Sequence, residues 1–225
     1  PRIIPCLQLR ENSLVKTTKF RRFKYIGDPV NTCRIFNELN AHEIVLLDIL
    51  ASKNNIMPNF ELISEISDEC FMPLSYGGGI KSLNTAEKIL KLGVEKIVLN
   101  TASIISPNFV NEVVREFGSQ CIIVSVDIKK HWFKGNICMG MSGLIHSDKN
   151  PVEWACELQD RGVGELLLTS IDREGTWKGL DIDLISRVSR NVTIPVIAHG
   201  GARGLEDIKN AFDKGKASAV ALGNT

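Results

Sequence analysis

The chain carries one segment twice, and the spacing of the copies is the strongest constraint on its fold. Pro73-Leu-Ser-Tyr-Gly-Gly-Gly-Ile80 opens a stretch running through Ala86, Ile89 and Gly93 to Lys96-Ile-Val-Leu-Asn100. Pro195-Val-Ile-Ala-His-Gly-Gly-Ala202 opens another, through Ile208, Ala211 and Gly215 to Ala219-Val-Ala-Leu-Gly223. Matching segments stand earlier in each half, Glu43-Ile-Val-Leu-Leu-Asp48 and Glu165-Leu-Leu-Leu-Thr-Ser170. The offset is 122 positions, slipping to 123 in the last segment. That period is far too long for a solenoid unit. It predicts two fused half-domains, about 1–118 and 119–225, each with its own glycine turn.

Short apolar runs alternate with amphipathic stretches along the whole chain. Strands are expected at Ile3–Leu7, Glu43–Leu47, Met72–Ser75, Lys96–Leu99, Cys121–Val126, Glu165–Thr169, Ile194–Ala198 and Ala217–Leu222. Helices are expected over Pro29–Leu39, Leu83–Leu92, Asn108–Phe117, Pro151–Asp160, Asp181–Arg190 and Leu205–Phe212. Asp28 before Pro29 supplies a cap and first-turn pair, and Gly93 and Gly118 supply stops. Continuous rather than alternating apolar strands suit a parallel sheet covered by helices. Eight of them in 225 residues predict a single (βα)8 barrel domain, with a doubly wound open sheet as the lesser alternative. The eighth strand reaches Gly223-Asn-Thr225 with no eighth helix behind it, where a closed barrel expects about 15–25 more residues. A chain shortened or incomplete at its C-terminus is therefore expected, and Pro1 in place of a start methionine hints at processing.

With 44% apolar residues the chain can bury one substantial core. A net charge of +1 and a pI near 8.0 provide no bulk field for nucleic acid or a membrane surface. No apolar run approaches a membrane span and no secretory signal is visible. The six cysteines (Cys6, Cys33, Cys70, Cys121, Cys138 and Cys156) lack Cys-x-x-Cys spacing and lie among apolar neighbours. They read as free thiols in a cytoplasmic protein. The basic run Lys16 to Lys24 reads as a solvated loop. His42, His131, His146 and His199 have no paired ligand spacing, so no metal is expected. Trp132, Phe133, Trp154 and Trp177 read as loop packing and core.

In such a barrel the chemistry sits where strands end and loops begin. Gly78 and Gly79 follow strand three, and Gly200 and Gly201 follow strand seven. Glycines there let backbone N–H groups approach a phosphate closely. Two turns at related positions imply a substrate with a phosphate at each end. Asp127 ends strand five, where a carboxylate is placed for acid–base work. Ile3-Ile-Pro-Cys-Leu-Gln8 lines up with Ile122-Ile-Val-Ser-Val-Asp127, so Gln8 stands where symmetry would place a second aspartate. An amide cannot accept a proton at neutral pH, which compromises any mechanism needing two carboxylates. Asp172 after strand six, Asp48 after strand two, and Asn100 and Thr101 after strand four add polar groups to the same rim. Lys16 could reach over it as a phosphate-binding cation. Arg2, Glu43, Lys96 and Glu165 stand at strand beginnings, where charge serves bottom-face stability or closes the pore by ion pairing.

These residues resemble the cyclase subunits of imidazole glycerol phosphate synthase, in the histidine-biosynthesis barrel family. The likeness lies in Arg2-Ile-Ile-Pro-Cys-Leu7, Gly27-Asp-Pro29, Leu47-Asp48, Gly77-Gly-Gly-Ile80, Phe117-Gly-Ser-Gln120, Leu167-Leu-Thr-Ser-Ile-Asp-Arg173 and Gly200-Gly-Ala202. The resemblance implies a cytoplasmic, cofactor-free, ammonia-dependent lyase and cyclase. A glutamine amidotransferase (glutaminase) subunit would dock at the bottom face as a heterodimer. Ammonia would pass through the barrel to a bis-phosphorylated ribulosyl substrate, which is cleaved and cyclised for histidine biosynthesis. The resemblance makes Arg2, Glu43, Lys96 and Glu165 the gate to that passage. It keeps Lys16, Asp48, Asp127, Thr169 and Ser170 in place. The chain departs from the family at several points. Gln8 takes the position of a catalytic aspartate, and Glu174 is the second acid of an Asp-Arg-Asp-Gly turn. His199 replaces a small residue, Arg203 replaces a glycine, and Asn224, after Gly223, stands for a phosphate-binding serine. Gln8-Leu-Arg10, Leu14-Val-Lys-Thr17, Lys19-Phe20 and Tyr76 resemble a branch of second-copy homologues, some associated with surface-polysaccharide synthesis. That branch implies an alternative role, activating the glutaminase and channelling ammonia to a sugar-modifying enzyme. A sugar-phosphate isomerase of the sister family needs acids at both strand ends, so Gln8 counts against it.

Overall fold

The computed structural model describes residues 1–223 and is a closed parallel barrel. Its strands in chain order are β1 (Arg2–Arg10), β2 (Ser13–Thr18), β3 (Arg21–Gly27), β4 (Ile44–Asp48), β5 (Leu74–Gly77), β6 (Lys96–Leu99), β7 (Ile122–His131), β8 (Gly135–Gly140), β9 (Ile145–His146), β10 (Glu165–Ser170), β11 (Val196–His199) and β12 (Ala219–Leu222). The barrel path is β1-β4-β5-β6-β7-β10-β11-β12, with every neighbouring pair parallel and β12 returning to β1. The eight barrel strands correspond to the eight expected, displaced by a few residues at their ends.

The helices are α1 (Pro29–Glu38), α2 (Ala51–Asn54), α3 (Phe60–Glu69), α4 (Leu83–Lys91), α5 (Thr101–Ile105), α6 (Pro107–Phe117), α7 (Pro151–Asp160), α8 (Ile182–Ser189) and α9 (Leu205–Asp213). Local chemistry starts them. The side chains of Asp28, Asn59, Ser82, Asn150 and Asp181 each accept a backbone N–H of the following helix, a cap worth about 1 kcal/mol. The sequence pattern did not mark α3, although Leu62, Ile63 and Ile66 form its buried face. None of the described helices is long and apolar enough to cross a membrane.

Two main clusters make the core, and a third, of Ile137, Met139 and Ile171 with Phe20 against it, joins the β2–β3 and β7–β8 hairpins. The larger of the main two lies between the helices and the outside of the barrel. The smaller fills the barrel itself and includes Ile4, Cys6, Val45, Val98, Ile123, Leu167, Ile197, Ala219 and Ala221. All six cysteines are free; Cys6, Cys33 and Cys138 are buried, and the others partly so.

Two strands outrun the barrel, and both carry a hairpin. β1 continues past its barrel neighbours to pair antiparallel with β2, which pairs with β3. The basic run is therefore a hairpin rather than a loop, although Lys19, Arg21, Arg22 and Lys24 are exposed as expected. Leu14 and Val15 bury one edge of it, and Lys19 and Phe20 turn its tip at φ 53° and 59°. β7 continues likewise into β8 and β9. Trp132 and Phe133 at that second tip are about nine-tenths exposed and pack in no core, whereas Trp154 is fully buried.

Candidate active site

The barrel's two ends differ in kind. At the end where strands begin, Arg2 pairs with Glu43 and Glu165, and Lys96 pairs with Glu165. The four charges thus form one connected set closing the apolar interior. Burial tends to raise the Glu165 carboxyl, but hydrogen bonds from Arg2 and Lys96 outweigh it and hold the group below its usual range. Glu43 is raised, because burial outweighs its more distant attraction to Arg2 and Lys96.

At the opposite end a cavity of about 490 Å³ opens among the strand ends. Gln8, Asp48, Gly78, Gly79, Asn100 and Thr101 line it, as do Asp127, Thr169 and Asp172. The hairpin folds over it and adds Thr17, Lys19, Arg21 and Arg22. Lys16 does not line the cavity; it stands opposite Lys24 in the hairpin, and strand alternation turns Thr17 inward instead. The hairpin tip is tied to the loop after β10 by Lys19 N–H donating to the Glu174 carbonyl at 2.9 Å.

Asp127 is the buried acid of the cavity. Burial pushes its carboxyl up to about 6, against hydrogen bonds from Ser125 and Thr169 and with a further push from Glu174. Ser125 Oγ donates to its Oδ1 at 2.7 Å. A carboxyl near that value exchanges a proton close to neutral pH, as acid–base work requires. Asp48 serves the backbone instead. Its Oδ1 caps α2 through Leu50 and Ala51 N–H at 2.9 Å, and burial raises its pKa. Asn100 braces β7 and β8, donating to the carbonyls of Ser125 and Met139. Thr101 Oγ1 accepts Met141 N–H at 3.0 Å. Asp172 accepts Lys130 N–H at 2.8 Å.

The first glycine turn requires glycine sterically. Gly78 has φ 128°, and a Cβ there would lie 2.6 Å from the Asp48 carbonyl. The second turn repeats this, with Gly200 at φ 98° and a Cβ position 2.7 Å from the Ser170 carbonyl. Gly200, Gly201 and Gly223 do not line the main cavity. They border a separate void of about 10 Å³, walled by Glu174 and Trp177 and joined to the cavity wall through His199. Ser170 is buried against Gly200 and lines neither space. Asn224 lies outside the described residues.

Gln8, Glu174 and His199, three of the chain's departures, meet at one place. Gln8 Nε2 donates to Glu174 Oε1 at 2.9 Å, and Thr17 Oγ1 donates to the same oxygen at 3.4 Å. His199 Nε2 stands 4.0 Å from Glu174 Oε2, while its Nδ1 is 3.2 Å from Thr169 Oγ1. Burial lowers the His199 pKa despite the opposing pull of Glu174, which favours the neutral ring. Neither Glu174 nor His199 stood among the residues assigned to the site from sequence. Their signal was the pattern of substitutions: at position 174 a side chain one methylene longer than aspartate reaches the amide at position 8.

The model of the histidine biosynthesis protein family matches residues 2–225. A Pseudomonas aeruginosa protein, provisionally named imidazole glycerol phosphate synthase subunit hisF2, is 47% identical over 223 residues, 99% of this chain and 89% of that protein. A Vibrio vulnificus protein, provisionally named subunit hisF3 of the same synthase, is 41% identical, covering 99% of this chain and 86% of its own length. A Leptospira borgpetersenii protein with the provisional name of subunit HisF is 42% identical over 225 residues, with 100% and 89% covered.

Proposed function

The chain belongs to the histidine biosynthesis protein family, in its imidazole glycerol phosphate synthase subunit group, and from that premise we propose that it is the ammonia-using barrel of a glutaminase pair. The carrying observation is the pairing of two ends. A connected ring of Arg2, Glu43, Lys96 and Glu165 closes one end of an apolar interior, and a cavity containing Asp127 opens at the other. A glutaminase docked on the ring would release ammonia into the barrel. An uncharged molecule crosses the Ile4, Val45 and Val98 layer without the desolvation cost that excludes ions. In the cavity it would meet a phosphorylated ribulosyl substrate held at Gly78 and Gly79.

On the cyclase reading, Asp127 shuttles protons while the substrate is cleaved and closed to imidazole glycerol phosphate. Its raised pKa supports that role. Gln8 can orient a substrate donor through its carbonyl oxygen but cannot transfer a proton. The second phosphate would need the Gly200–Gly201 turn to open. Purified chain supplied with ammonium and the bis-phosphate substrate should form imidazole glycerol phosphate. No product, with a partner glutaminase demonstrably active, would overturn this reading.

Gln8 and the small second void favour another reading. There the barrel activates the glutaminase and passes ammonia onward to a second, sugar-modifying enzyme. It expects glutaminase stimulation without cyclised product. Ammonia transfer that survives both Glu165→Gln and Lys96→Met would sink the ammonia passage common to both readings.

A further inference from the structure

Glu174 is a carboxylate almost wholly withdrawn from water, 3% exposed, with no lysine or arginine in ion-pair reach among the described residues. An uncompensated buried charge is costly and calls for a cation or a dense set of donors. Its Oε1 is served by Gln8 and Thr17, both neutral. Among the described residues, the ionisable atom paired with its Oε2 is His199 Nε2, at 4.0 Å.

The neighbouring atoms want donors as well. Gln8 Oε1 and His199 Nε2 are both buried without a hydrogen-bond partner among the described residues. With the imidazole proton assigned to Nδ1 and directed at Thr169, Nε2 is an acceptor facing an anionic oxygen. Two acceptors about 4 Å apart are spaced for one shared donor at ordinary hydrogen-bond length from each. The adjoining void of about 10 Å³, walled by Glu174 and His199, matches a single water-sized occupant.

Size, charge and acceptor count together select the occupant. Water would fit but would leave the carboxylate charge uncompensated. Sodium and potassium compensate it but prefer all-oxygen shells, and a histidine nitrogen suits hard cations poorly. Ammonium carries the charge and four N–H donors, and it bonds to imidazole nitrogen and carboxylate oxygen alike. We propose that Glu174 and His199 form an ammonium site beside the second glycine turn, with Gln8 holding the carboxylate in place. The proposal rests on the ammonia-using reading and names where the barrel holds the nitrogen before it is used.

The test is a titration of the whole chain at neutral pH with [15N]ammonium chloride. Bound ammonium is read by NMR and by thermal unfolding, against sodium and potassium chloride at equal ionic strength. A saturable response at least about tenfold tighter for ammonium than for either alkali ion is expected. Glu174→Gln, shown to be folded by circular dichroism, should lose it by more than about tenfold, as expected for a charged partner. Glu174→Asp keeps the charge and should retain a weakened response. Gln8→Met, which removes the amide hydrogen bond to Glu174 Oε1, should weaken it about fivefold. Equal responses to potassium, or an unchanged response in Glu174→Gln, would overturn the proposal. The isolated barrel needs neither glutaminase nor substrate here. Ammonium binding without ammonia transfer would therefore sink the amidotransferase reading alone, and transfer without binding would sink this site alone.

Discussion

The two glycine turns share a sequence pattern, a place in the barrel and a backbone conformation, yet they open on different surroundings. Around Gly78 and Gly79 the space is large, and Lys19, Arg21, Arg22 and Lys53 stand on its wall. Around Gly200 and Gly201 it is small, and its ionisable lining is Glu174 and His199, while the Arg173 side chain packs against Gly201 with its guanidinium turned to the carbonyls of Lys178 and Gly179. The helix after the second turn adds Glu206 and Asp207 in its first turn, and Asp207 is already tied to Arg203 through three contacts of 2.8–2.9 Å. A duplicated backbone has thus been kept while the charge lining the space beside it changed sign. Main-chain geometry makes an anion site possible, but the side chains around it decide whether an anion is welcome.

The largest effect separates the turns directly. Gly78→Ala and Gly200→Ala each force a Cβ to within 2.7 Å of a carbonyl oxygen at a positive φ. Each should cost about 3 kcal/mol of stability. Their effects on inorganic phosphate, read by calorimetry, should differ: Gly78→Ala should lose binding by more than about tenfold, and Gly200→Ala should leave it unchanged. Equal losses would mean that the second turn opens to accept phosphate, and the contrast would vanish.

Asp127 and Gln8 extend the same asymmetry to the strand ends. Gln8→Asp alone would set a second buried carboxylate against Glu174, close to where the amide donates now. Like charges at such range destabilise, by about 2–3 kcal/mol at pH 7. Adding Glu174→Gln should recover most of the loss, and chemical denaturation of the four-member mutant cycle measures the coupling. Any cyclase activity gained by an acid at position 8 should therefore be greatest in the double variant. Additive effects would dismiss the contact as incidental.

Asp127→Asn should raise stability. Its folded pKa of about 6 lies above the ordinary value of 3.8, so the native state favours the protonated form. That preference helps fully at low pH and is lost as pH rises from about 4 through 6. Removing the charge should stabilise the protein by up to about 3 kcal/mol at pH 8 and by almost nothing below pH 4. Thermal unfolding at both pH values checks it. On the cyclase reading the same change should cut turnover by about 10²–10⁴.

Much of this was legible in the sequence, because repetition and apolar runs report backbone layout. The eight barrel strands, both glycine turns, Asp127 and the charged strand beginnings all follow from pattern. What pattern does not reveal are side-chain events between distant segments. Nothing local in Lys16-Thr17 says which residue turns inward, since strand alternation is fixed only once β2 pairs with β1. The meeting of Gln8 with Glu174 spans 166 positions and leaves no periodic trace. Helix α3 lacks the closing glycine that marks α4 and α6, although Leu62, Ile63 and Ile66 make a stripe as wide as theirs.

Lys53 carries the smallest and most discriminating expectation. Its side chain is solvated, so it acts as a screened point charge and not as a paired hydrogen-bond donor. Lys53→Ala should weaken phosphate binding at the first turn about three- to fivefold at low salt, and the deficit should shrink towards nothing near 1 M salt. Ammonium binding beside Glu174 should not change, because a solvated charge across the cavity mouth is screened from a buried site. If Lys53→Ala instead tightened ammonium binding markedly, the two turns would share one electrostatic field. The change of sign between them would then be a gradient within a single cavity and not a boundary between two sites.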